Sequence, residues 1–107
     1  FSQAATGATG IETLLPLSLE LFHNKSLKLK NLIAAITSNP AKILGIKKGT
    51  LDEGSDADLC VFDLNKPWMV NKEKLKSKSK NTPIENRKMQ GQILKTFVKG
   101  ELAFERI

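Results

Sequence analysis

A few residues in this chain could do chemistry, and their types and spacing limit what it would be. Thr6-Gly7 opens a run of small residues, Thr6-Gly7-Ala8-Thr9-Gly10, just ahead of an apolar segment. Glycine there can let a backbone N–H approach a ligand closely, although small residues ahead of a helix are common without one. Asp56, Asp58 and Asp63 flank the apolar run Leu59-Cys60-Val61-Phe62. Grouped carboxylates can hold a hard cation; turn formation is the commoner role of Asp and the one expected. His23 lacks evident partners for a metal site or a base, so an interaction with a helix C-terminus is expected. Cys60 lies among apolar residues and is expected to be a buried structural thiol, because reactive thiols sit in polar, partly exposed places. The chain has no nucleophile elbow, phosphate loop, His-Glu-x-x-His or Cys-x-x-Cys pattern.

The elements that must position these residues change character along the chain. Ile11 to His23 reads as a helix with apolar residues on more than one stripe, expected to be buried on most sides. Pro16 should kink it or mark a restart, since proline lacks an N–H and clashes with the preceding turn. Leu29, Leu32, Ile33 and Ile36 have helical spacing and place a second helix over Leu29–Thr37. Ser38 or Asn39 can cap a third, with Pro40 suited to its first position, and Gly45 is a natural left-handed stop. From Ile46 the sequence is rich in turn residues. Leu59–Phe62 reads as a buried strand. Gln92–Val98 and Glu101–Phe104 read as strands joined through Lys99-Gly100 in a hairpin. The first 45 residues are thus helical and the rest is β, with no repeat and no secretory signal peptide. This order closes no obvious domain. The chain also begins at Phe1 rather than Met, and it reads as a segment of something longer.

Composition narrows the class further. The 107 residues include one His, one Cys and no Tyr, with 40% hydrophobic and 26% charged residues, values typical of a globular chain. One Cys excludes an intrachain disulfide, and one His with one Cys speaks against a zinc site built within the chain. Apolar stretches fall far short of the roughly 20 residues that span a bilayer. The net charge is +6, but Lys66, Lys72, Lys74, Lys76, Lys78 and Lys80 against Glu73 supply +5 of it. A phosphate-binding arm would read this way. No Arg or aromatic residue lies between Lys72 and Lys80, however, and nucleic-acid readers rely on both. A solvated segment is the expected role, so neither a nucleic-acid nor a membrane partner is expected.

Four blocks carry a resemblance to a known family. They are Ala4-Ala5-Thr6-Gly7-Ala8-Thr9-Gly10-Ile11-Glu12-Thr13-Leu14-Leu15-Pro16; Thr37-Ser38-Asn39-Pro40-Ala41-Lys42-Ile43-Leu44-Gly45; Gly49-Thr50-Leu51 with Gly54 and Ala57-Asp58-Leu59-Cys60-Val61-Phe62-Asp63; and Ser77-Lys78-Ser79-Lys80-Asn81-Thr82-Pro83 with Gly91 and Thr96–Gly100. Over nearly its whole length the chain resembles the C-terminal segment of bacterial dihydroorotases, in the amidohydrolase superfamily. The second and third blocks are shared with allantoinases and hydantoinases. The first and fourth are similar to dihydroorotases in particular.

The resemblance implies an α/β-plus-β fold: residues 1–45 as the closing helices of a (β/α)8 barrel, and residues 46–107 as the C-terminal part of a small β-sandwich. It implies zinc-dependent, reversible hydrolysis of dihydroorotate to N-carbamoyl-aspartate in cytoplasmic pyrimidine biosynthesis. Zinc would be held by the intact enzyme and not by this segment, which would be inactive alone. Thr6 and Gly7 match the family's substrate loop, which holds the substrate carboxylate partly through backbone N–H groups; Thr6 stands where Phe or Pro is frequent. Ile84 and Asn86 stand where Phe and Gly are usual. No catalytic or metal residue maps onto this segment. Expected partners are the small-molecule substrate, the upstream barrel, a second copy in a homodimer and a transcarbamoylase. The alternatives are a non-catalytic dihydroorotase-like scaffold subunit and an allantoinase-type enzyme. For the isolated chain, exposed apolar surface is expected along Ile11–Phe22.

Overall fold

A computed structural model describes residues 7–106. A 3-10 turn, Ile11–Thr13, leads into α1, Leu14–His23. Proline resolves as a restart: Pro16 lies in the first turn of α1, where a missing N–H breaks no helical hydrogen bond. Helix α1 ends at Asn24, whose side-chain Oδ1 accepts the Ser26 N–H at 2.9 Å. Helix α2, Leu29–Ile36, is joined to α3, Ser38–Leu44, by Thr37. The Thr37 hydroxyl donates back to the Ile33 carbonyl at 2.6 Å. Thr37, rather than Ser38 or Asn39, stands at the N-cap position of α3, without a side-chain cap bond, and Pro40 moves two places into the helix. Gly45 ends α3 as expected, at φ 70°, with its own N–H on the Lys42 carbonyl and that of Ile46 on Ala41.

Three strands, β1 (Leu59–Met69), β2 (Lys88–Val98) and β3 (Glu101–Glu105), form an antiparallel sheet with β2 in the middle. Lys99 and Gly100 both have positive φ, 50° and 81°, as a two-residue hairpin turn needs. Lysine is an unusual first residue there. The Asp58 carboxylate accepts the Lys99 N–H at 2.9 Å, and the Ala57 carbonyl accepts that of Gly100 at 3.0 Å, which holds the turn. Between the pairs Asp63↔Gln92 and Pro67↔Gln90 four steps along β1 answer two along β2. The surplus residues bulge opposite Gly91.

The helices cover one face of this sheet. Leu15, Leu19 and Leu32 are buried together, with Phe22, Leu29, Ile33, Ile36, Phe62, Leu64 and Ile93 packed around them. Helix α1 is buried on one side only, through Leu15, Pro16 and Leu19. Ile11 is 94% exposed, and Leu14 and Leu21 are exposed as well, which bears out the apolar surface expected along this stretch. The strand expected at Leu59–Phe62 is longer and far less buried: Val61 is 47% exposed, and Leu59 and Cys60 are exposed too. The reason is position. Among the described residues β1 is at the sheet's edge, and Phe62 and Leu64 are the side chains it packs against the helices.

Candidate functional site

Two stretches far apart in sequence meet at one cleft. The first runs from Gly7 through the 3-10 turn; the second is the basic segment after β1. Residues 7–10 have no regular structure. Glu12, in the turn, is aimed at the basic segment: its Oε1 accepts the Lys76 N–H at 3.0 Å and its Oε2 accepts the Ser77 N–H at 3.1 Å. Asn81 binds the loop twice. Its carbonyl accepts the Thr9 N–H at 2.8 Å, and its side-chain Nδ2 donates to the Gly7 carbonyl. Ala8 to Glu12, with Lys76, Ser77 and Ser79, line a cleft of about 580 Å³.

Of the substrate-loop pair expected from the sequence, Gly7 precedes the lining residue Ala8 and bonds Asn81 without itself lining the cleft, and Thr6 lies outside the described residues. The basic segment is solvated on most of its length, yet it is shaped by Asn71, whose side chain accepts the Glu73 N–H, and by Lys80, whose ammonium donates to the Leu75 carbonyl. Glu12 and Asn81 were not singled out in the sequence. Both stand in the blocks that are similar to dihydroorotases, but their partners are 64 and 74 residues away. No local spacing signals such a pairing.

The remaining candidates serve structure. His23 closes α1 and places Nε2 3.1 Å from the Leu64 carbonyl, which ties the helix end to β1. Asp63 accepts the Asn65 N–H at 3.0 Å in a local turn. Asp56 and Asp58 both meet the Lys48 ammonium, at 3.0 and 2.6 Å. Among the described residues no group of three His, Cys, Asp or Glu could hold a metal ion, so these residues do not fit a zinc site. Cys60 is exposed rather than buried, and partial desolvation still pushes its thiol pKa up, which leaves it a poor nucleophile near neutral pH.

The Lys48 ammonium, and then the Lys99 N–H, hold the Asp58 carboxyl below the usual carboxylate range. A carboxylate with a depressed folded-state pKa adds stability above its unfolded value, near about 3.9, and loses it as pH falls through the lower folded value. Lys48 is shifted up by Asp58 and then Asp56, so its contribution lasts through neutral pH and is lost only in strong alkali. Asp58→Asn is therefore expected to flatten the fall in stability below about pH 4. Paired acid titrations of the folded chain, followed by circular dichroism, check this; an unchanged acid limb would contradict it.

Comparison with known proteins decides the family. Residues 4–103 match the profile of the Amidohydrolase family. The chain belongs to this family. Among curated amidohydrolase relatives, the dihydroorotase of Geobacter sp. (strain M21) is 45% identical over 105 residues, covering 98% of this chain and 25% of the relative. The dihydroorotase of Ehrlichia canis (strain Jake) is 43% identical over 104 residues, covering 97% of the chain and 23% of the relative. The chain thus spans about a quarter of the length of these relatives. Among solved structures, the L-hydantoinase (dihydropyrimidinase) from Arthrobacter aurescens superposes with a TM-score of 0.87 at 38% identity, over 95% of this chain and 23% of that one. A D-hydantoinase superposes at 0.88 with 21% identity and speaks for the fold alone. The helices and small antiparallel sheet are accordingly an amidohydrolase arrangement. No described helix is long and apolar enough to cross a membrane.

Proposed function

We propose that the chain is the C-terminal segment of a dihydroorotase, a cyclic amidohydrolase that reversibly hydrolyses dihydroorotate to N-carbamoyl-aspartate in pyrimidine biosynthesis. The observation that carries this reading is the contact between the two stretches whose motifs resemble those of dihydroorotases. The Gly7–Glu12 loop and the Lys76–Asn81 segment are hydrogen-bonded to each other at one cleft. Dihydroorotases at 43–45% identity over nearly all of the chain support it.

On this reading residues 1–45 are the closing helices of a (β/α)8 barrel, and residues 46–107 are the C-terminal share of a small β-sandwich. Thr6 and Gly7 belong to the substrate loop, where backbone N–H groups meet the substrate's carboxylate side. Zinc in the intact enzyme would polarise the ring amide and activate water. Its ligands would come from elsewhere in the protein, and the segment alone would be inactive. The partners are the small-molecule substrate, the rest of the barrel, a second copy and a transcarbamoylase, in the cytoplasm.

Full-length protein, assayed for bound zinc and for turnover of dihydroorotate, allantoin and hydantoin, tests the proposal. The expected result is zinc binding and turnover of dihydroorotate above the other two. Preference for allantoin or hydantoin would overturn the substrate assignment. A protein without zinc or turnover would be a scaffold subunit.

A further inference from the structure

We infer that Asn81 and Glu12 are positioning residues: they clasp the Gly7–Thr9 loop to the Lys76–Asn81 strap and so fix the backbone groups that the loop presents to substrate. The inference rests on the proposed substrate role of the Gly7 loop. Among the described residues, nothing packs against the glycines of this loop. A Cβ added at Gly7 or Gly10 would meet nothing within 4 Å, and residues 7–10 form neither helix nor strand. Its hydrogen bonds beyond the adjoining turn, among the described residues, both go to Asn81. Among the described residues, Asn81 is thus the loop's anchor outside its own turn.

The strap fixes Asn81 in turn. Glu12 receives two successive strap N–H groups, one on each carboxylate oxygen, and the Asn81 N–H donates to Ser79 Oγ at 3.3 Å. The residue types suit these tasks. A carboxylate offers two acceptor atoms and no donor, one for each of the two adjacent amides; a glutamine would set its own NH2 donor against one of them. An amide side chain supplies the N–H that the Gly7 carbonyl accepts. Aspartate at position 81 would turn an acceptor against an acceptor. The lysines around Glu12 keep the strap cationic beside this single carboxylate.

Asn81→Ala, Asn81→Asp, Glu12→Ala and the control Lys78→Ala, made in the full-length protein, test the inference by steady-state kinetics with dihydroorotate and by amide hydrogen exchange. Asn81→Ala is expected to raise KM about tenfold with kcat within about threefold, the signature of lost uniform binding. Asn81→Asp should raise KM further, and Lys78→Ala should leave it unchanged. In exchange, the Thr9 amide should lose protection in both Asn81 variants, because the Nδ2 bond to the Gly7 carbonyl is what holds the loop against the Asn81 main-chain carbonyl that both variants keep, and the Lys76 and Ser77 amides should lose it in Glu12→Ala. Unchanged Thr9 exchange in both Asn81 variants would overturn the clasp whatever the substrate proves to be. Lost Thr9 protection with unchanged KM would overturn the positioning role. A wild-type protein that ignores dihydroorotate but keeps a protected Thr9 would overturn the proposed function and leave the clasp standing. If Asn81→Ala fails to fold, Glu12→Ala carries the test through KM and the exchange of the Lys76 and Ser77 amides.

Discussion

Gly91→Ala is expected to destabilise the chain by about 2–5 kcal/mol, the sum of backbone strain and overpacking. Gly91 has φ 106°, a conformation that side chains other than hydrogen rarely adopt. An added Cβ would stand 2.5 Å from Leu19 Cδ1 and 3.3 Å from the Leu64 carbonyl. Leu19 is fully buried and has nowhere easy to go. The Gly91 carbonyl also accepts the Trp68 indole N–H at 2.6 Å, so a backbone shift that relieves the clash strains this bond. Urea denaturation followed by circular dichroism reads the change. A midpoint close to that of the parent chain would show that the bulge opposite Gly91 absorbs a methyl group.

Leu19→Ala is the second large effect, expected at about 2–5 kcal/mol for a buried leucine cut to alanine. Leu19 is 0% exposed, at the centre of the cluster formed by α1, α2 and the sheet. Such a small core has few neighbours to collapse into the space. The two substitutions should also be coupled, because Leu19 Cδ1 is the atom that the Gly91→Ala methyl meets. Truncating Leu19 makes room, so the double variant should lose clearly less stability than the two single losses added together. Strict additivity would place the whole Gly91 effect in its backbone conformation.

Much of the fold was legible because local rules decide it. Helical spacing at Leu29, Leu32, Ile33 and Ile36 gave α2 to within a residue, Gly45 took the left-handed stop, and Lys99-Gly100 made the hairpin. Asn86, standing where the resemblance has glycine, adopts φ 65°, a conformation asparagine tolerates better than most. What failed was burial. Cys60 and Val61 have the apolar β-favouring character of a covered strand, but burial depends on what lies across from a strand, and β1 is at a sheet edge. At the site, Gly7 stood out for its small side chain and its match to a family motif. Glu12 and Asn81 did not, because hydrogen bonds between loops distant in sequence leave no period or spacing to read.

The tight turn at Lys99-Gly100 also dictates an order of assembly. β2 and β3 meet across two residues, so their first pair, Val98 with Glu101, forms at almost no loop-closure entropy. β1 reaches β2 through the pair Met69 with Lys88 only after residues 70–87, the strap included, have been drawn into a closed loop. By closure cost alone, the hairpin precedes the pairing of β1. The strap's clasp on the Gly7 loop, which spans still more of the chain, comes at the end of that sequence.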